Sequence, residues 1–149
     1  MEFDYIINST IAIIRGFKVT YGLFFSTLAF SLPLGLMIAL ARISKSRFLQ
    51  ATTGTYIWLL RGTPLLLQVF FIYFGLPAFG IRFESMTAAI VAFVLNYAAY
   101  FAEIFRAGIQ SIDKGQYESA DVLGLTYSQT MKRIIIPQMV KRIHQHFRT

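Results

Sequence analysis

Three polar side chains, Asn96, Tyr100 and Glu103, occur at i, i+4 and i+7 inside an apolar stretch, a spacing that puts them on one face of a helix. A carboxamide, a phenol and a carboxylate in line can do two things. They can line an aqueous path or a site for a polar solute, with Asn96 and Tyr100 supplying donors and acceptors, or they can hydrogen-bond to neighbouring helices. Glu103 also stands three residues before Arg106, the spacing of an ion pair near a helix end. Arg61-Gly62-Thr63-Pro64 interrupts a second apolar stretch; it either breaks a helix that lines the same path or marks the interfacial end of a span. Nothing resembles a catalytic set. His144 and His146 lie two apart with no spaced carboxylate, so no metal is expected. There is no cysteine, no Gly-rich loop ending in Gly-Lys-Ser/Thr to cradle ATP, and neither a His-Glu-x-x-His nor a nucleophile-elbow pattern. An enzyme is disfavoured, and no cofactor is implied.

The elements that carry these residues follow from hydropathy. The chain has 149 residues, 56% hydrophobic and 14% charged, with a mean hydropathy of +0.57, which excludes a water-soluble globule. No charge occurs in residues 19–41, 62–81 or 85–102, runs of 23, 20 and 18 residues. As helices rising about 1.5 Å per residue, each can cross a hydrocarbon core about 30 Å thick. The sequence therefore predicts an all-α membrane protein with three transmembrane helices in contact with lipid, over about 20–41, 52–76 and 86–107. Pro33 predicts a kink in the first. Ahead of it, Phe3, Ile6, Ile7, Ile14 and Phe17 repeat at helical spacing, which predicts a separate amphipathic helix over 3–17 lying in the interface.

Charge sets the orientation. The net charge of +7 would suggest nucleic acid for a soluble protein; here it reports which side of the membrane the loops occupy, and no nucleic-acid partner is expected. Arg42, Lys45 and Arg47 fall within six residues with no acid between them, so this loop is assigned to the cytoplasm, whereas the loop at 77–85 carries only Arg82 and Glu84 and is assigned to the outside. Three spans then place the amino terminus outside and the polar end of the chain in the cytoplasm.

Residues 108–137 are too polar to span and too patterned for a passive loop. Gln116–Leu123 can form two helical turns with Tyr117, Ala120 and Leu123 on one face and Glu118 and Asp121 toward solvent; Gly124 suits a left-handed stop. Thr126-Tyr127-Ser128-Gln129 is a capping-box signal for a second helix, which Pro137 is expected to end.

These residues carry a resemblance. Glu118-Ser119-Ala120, three residues, Gly124, nine residues and Ile134-Ile135-Ile136-Pro137 resemble the EAA loop of membrane subunits of ATP-binding cassette importers, with Ser119 and Ile136 as small departures. Residues 61–68 with 73–77, and residues 96–109, are similar to the polar amino acid permeases of that family. The resemblance implies a single permease domain over 1–149, with 108–137 as the cytoplasmic coupling loop, in a bacterial cytoplasmic membrane. It implies that Tyr117, Glu118, Ser119, Ala120, Gly124 and Pro137 form the contact with a cytoplasmic ATPase subunit, which hydrolyses the ATP. It also implies a second permease copy or paralogue and an extracytoplasmic amino-acid-binding protein; on the functional reading of the polar residues themselves, the substrate path runs past Asn96, Tyr100, Glu103 and Arg61. Such permeases continue beyond the Pro137 position into further spans, so the sequence reads as C-terminally incomplete. The alternatives are a non-transporting membrane scaffold or channel subunit, or an inactive truncated fragment of the permease.

Overall fold

The computed structural model describes residues 2–146, with side chains described over 7–144. It is helical throughout apart from short connections: α1 (Glu2–Arg42), α2 (Arg47–Gly62), α3 (Leu65–Phe70), α4 (Ser85–Gln110), α5 (Lys114–Val122), α6 (Tyr127–Thr130) and α7 (Ile136–His146). π-helical turns at Phe71–Gly75 and Met131–Ile135 extend α3 and join α6 to α7.

The separate amphipathic helix expected over 3–17 is corrected: α1 is one helix of 41 residues, and the side chains of Phe3 and Ile6 lie outside those described. Nothing between Phe17 and Thr20 can stop a helix. Gly16 alone costs only about 1 kcal/mol relative to alanine, and Thr20 Oγ1 donates back to the Gly16 carbonyl at 3.0 Å. Pro33 sits inside the same helix without ending it.

Two helices, α1 from Ile7 and α4, are long and apolar enough to cross a membrane; α2 and the helical run Leu65–Phe79 form a third only if taken as one span bent by 107°. The bend falls at Thr63-Pro64, where proline removes a donor and disfavours a helical conformation in the residue before it.

α4 is the spine. Ala88 and Ala92 pack with Ile72; Ala99 and Ala102 pack with Ile57; Ile109 packs with Ile112, Met131, Ile135 and Met139. Small residues permit this closeness. A Cβ on Gly35 of α1 would stand 2.7 Å from Phe101 Cβ, and one on Gly108 would stand 2.7 Å from Met139 Cγ of α7. α1 and α2 are joined by a short basic loop in which Arg42 Nη1 donates to the Gln50 carbonyl and Gln50 Nε2 to the Ser44 carbonyl, both at 2.6 Å.

Candidate functional site

Two sites answer to the residues singled out by the sequence, one at the break between α2 and α3 and one at the turn between α5 and α6. At the break the last carbonyls of α2 lose their helical partners, and side chains replace them. Thr63 Oγ1 donates to the Leu59 carbonyl at 2.9 Å. Gln68 Nε2 reaches the Leu60 carbonyl at 2.9 Å, the Thr63 carbonyl at 3.1 Å and Thr63 Oγ1 at 2.8 Å. From α4, Asn96 Nδ2 donates to the same Leu60 carbonyl at 2.9 Å and to Gln68 Oε1 at 3.1 Å, and Tyr56 of α2 donates its hydroxyl to the Leu95 carbonyl at 2.6 Å. Asn96 is 5% exposed, and both of its amide hydrogens are used within the protein.

The next residue along α2, Arg61, projects its guanidinium over the ring of Tyr100, 5.1 Å from the centroid. One turn farther along α4, Glu103 pairs with Arg106 at 2.7 Å through a bidentate contact, and Arg106 Nη1 donates to Gln110 at 2.7 Å. Among the described residues Arg61 has no carboxylate within ion-pair distance. The break thus carries a cation with no direct ion pair among the described residues, beside a phenol and a carboxylate that is paired to Arg106 and also feels the Arg61 charge. A largely apolar cavity of about 590 Å³, with Leu67, Phe71, Val91 and Leu95 in its wall and Thr63 and Gln68 at its polar edge, lies inside the elbow. Sequence reasoning missed Gln68, although its place four residues after Pro64 in an apolar run was a usable signal.

The second site is built by capping. Asp113 caps α5 by accepting from the Gly115 N–H at 2.7 Å. At the other end Gly124 has φ +71°, its N–H bonds the Asp121 carbonyl at 2.9 Å, and the Leu125 N–H bonds the Ala120 carbonyl at 3.0 Å; this pair of bonds is a Schellman stop. The capping box at Thr126 and Gln129 then starts α6. Ala120 is buried and Tyr117 packs on the Ile109–Met139 cluster. Glu118, Ser119 and Asp121 face outward. Leu123 does not join the buried face as expected: it is 74% exposed beside Val122 at 88%, because it is the helix C-cap and the chain has begun to turn. Burial, with the charge of Tyr127 adding to it, raises the Tyr117 phenol above its ordinary pKa. Glu118, Asp121 and Tyr127 line a shallow groove of about 360 Å³.

Contrary to the expectation from the sequence, Pro137 does not end the helix. A π-turn precedes it, closed by the Ile136 N–H on the Met131 carbonyl. α7 then begins with Pro137 in its first turn, where no amide donor is needed. The same arrangement stands before Pro77, with the Leu76 N–H on the Phe71 carbonyl. Among the described residues no cluster of histidine and acidic side chains could hold a metal.

Residues 31–148 match the family described as "binding-protein-dependent transport system inner membrane component". The chain belongs to that family. It is 43% identical over 147 residues to the probable amino-acid ABC transporter permease protein YckA of Bacillus subtilis (strain 168), covering 95% of this chain and 65% of that protein. It is 40% identical over 144 residues to the arginine transport system permease protein ArtQ of the same organism, covering 96% and 66%. Among solved structures it is similar to one titled "Crystal structure of an amino acid ABC transporter with histidines", with a TM-score of 0.74 and 37% identity over 91% of this chain and 67% of that one. The chain spans about two thirds of the length of the curated relatives it matches.

Proposed function

We propose that this chain is a membrane-spanning permease subunit of an ATP-binding cassette importer for polar amino acids, with the ATP hydrolysed by a separate cytoplasmic subunit. The observation that carries the reading is the stiff turn at Gly124. A helix anchored through Tyr117 and Ala120, and stopped by two backbone bonds, presents Glu118, Ser119, Val122 and Leu123 on one outward edge. Such an edge passes on a rigid-body displacement that a loose loop would absorb. Residues 108–137 are the coupling loop, and Pro137 with its π-turn aims α7 back against Gly108.

The α2–α3 bend adds a third crossing between those of α1 and α4, with the basic loop and the coupling loop in the cytoplasm and the amino terminus outside. The substrate path runs past Arg61, Tyr100 and Glu103, and Asn96 holds its wall. A second permease copy or paralogue and an extracytoplasmic amino-acid-binding protein complete the importer.

The test is isolation of the tagged chain from membranes in which it is co-expressed with the ATPase and binding protein, followed by assay of ATP hydrolysis against a panel of amino acids. The reading expects an ATPase to co-purify and its turnover to rise with polar amino acids. A chain that purifies without any ATPase, as a scaffold or channel subunit would, overturns it.

A further inference from the structure

We infer that Gln68 is a positioning residue for the proposed substrate site, clamping the α2–α3 break to α4 so that Arg61 is held over Tyr100; the inference rests on the reading of that site given above. Gln68 is the side chain that touches every part of the break. Its Nε2 serves the Leu60 and Thr63 carbonyls and the Thr63 hydroxyl, and its Oε1 receives Asn96 from α4. In a lipid surrounding those carbonyls have no water to turn to, and each one left unpaired is costly. The carbonyl that Gln68 and Asn96 share belongs to Leu60, the residue directly before Arg61, and one peptide unit spans only about 3.8 Å. Whatever fixes the Leu60 carbonyl therefore fixes where the Arg61 side chain starts. The arginine needs this help, because a 5.1 Å contact with a ring face is directional but weak, and among the described residues it has no carboxylate to lock it.

The clamp also explains how a sharp bend can be a definite geometry. Two apolar helices meeting at Thr63-Pro64 could splay over many angles; the bonds from Gln68 on α3 back to the Leu60 and Thr63 carbonyls at the end of α2, with Asn96 of α4 bonded to both Leu60 and Gln68, hold the bend at 107°. Gln68 and Asn96 act as a unit, so the sum of their reaches matters more than either alone.

The absence of cysteine from the chain lets spin labels be placed at positions 55 and 74, both on exposed sites either side of the break, and their separation measured by pulsed dipolar spectroscopy in lipid nanodiscs. Gln68→Met keeps the bulk and removes the amide; Gln68→Asn is the milder variant should the first not be recovered from membranes. Each should widen the distance distribution at least twofold. The exchanged pair Gln68→Asn with Asn96→Gln restores the combined reach and should return the width to that of the parent. In the assembled transporter, the amino acid concentration giving half-maximal ATPase stimulation should rise roughly tenfold for either single variant, with the maximal rate within twofold, and recover in the exchanged pair. An unchanged distance distribution overturns the clamp. A widened distribution with an unchanged half-saturation reduces Gln68 to packing and equally overturns the inference. A parent transporter that responds to no amino acid overturns the proposed function instead, and the distance measurement still decides whether Gln68 sets the bend.

Discussion

Asn96 donates to the carbonyl of Leu60 across the α2–α4 contact at 2.9 Å, so a helix end that proline has stripped of its bonds is closed by a side chain 36 residues away. The polar stripe of α4 therefore divides its labour: Asn96 turns inward to the break, Tyr100 sits under Arg61, and Glu103 is held by Arg106.

Asn96→Leu removes a buried donor, takes away the donor to Gln68 Oε1 and leaves the Leu60 carbonyl with Gln68 Nε2 alone. The expected cost is about 1–3 kcal/mol. Denaturation of the purified chain in mixed micelles should show it. Tyr100→Phe, whose ring face remains available to Arg61, should change stability far less. Equal stability of Asn96→Leu and the parent would show that the contact with Leu60 carries no weight.

Gly35→Leu tests the α1–α4 packing. A bare Cβ would already stand 2.7 Å from Phe101 Cβ and 3.1 Å from the Ala98 carbonyl, so neither backbone nor side chain can give way cheaply; overpacking of this kind costs about 1–3 kcal/mol or more. Protease protection of the spans in membranes should fall sharply, whereas Gly16→Leu, with no atom within 4 Å of its Cβ, should leave it unchanged.

Much of this was legible in the sequence, and the limits have physical causes. The extent of α4, the Gly124 stop, the Thr126 capping box and the Glu103–Arg106 pair follow from local spacing, and the structure contains each. The unbroken α1 is not legible because the amphipathic pattern over 3–17 gives way to an apolar run without any residue that imposes a boundary. The helix past Pro137 was missed because a π-turn, which lets the ring enter at a first-turn position, has no spacing of its own to read. Gln68 stands out in the sequence only as a polar residue in an apolar run; its role does not, because two of its partners are backbone carbonyls, which no residue pattern displays.

The orientation is checked by labelling. Single cysteines at Lys45 and Ser85, both exposed, should behave oppositely toward an impermeant thiol reagent added outside intact cells, with position 85 reacting and position 45 protected until the membrane is opened. The reverse pattern would invert the orientation and move the basic loop outside.

Gly124→Val probes the stiff turn. Its φ of +71° costs a β-branched residue at least about 1 kcal/mol, and relieving that strain breaks the two bonds that stop α5. Amide exchange over 114–126 should accelerate while the spans keep their protection. Unchanged exchange would mean that the turn does not depend on glycine.

The central claim is that the edge beside Gly124 is where ATP-driven movement enters this chain. A photo-reactive residue at position 123, exposed at the tip of the turn, tests it most directly in membranes that also contain the partner subunits. The account predicts crosslinking to an ATP-binding cassette ATPase, with a yield that changes between nucleotide-free and ATP-bound states and collapses in Gly124→Val. Crosslinking only to lipid, or to the ATPase with a yield indifferent to both nucleotide and Gly124→Val, would contradict it.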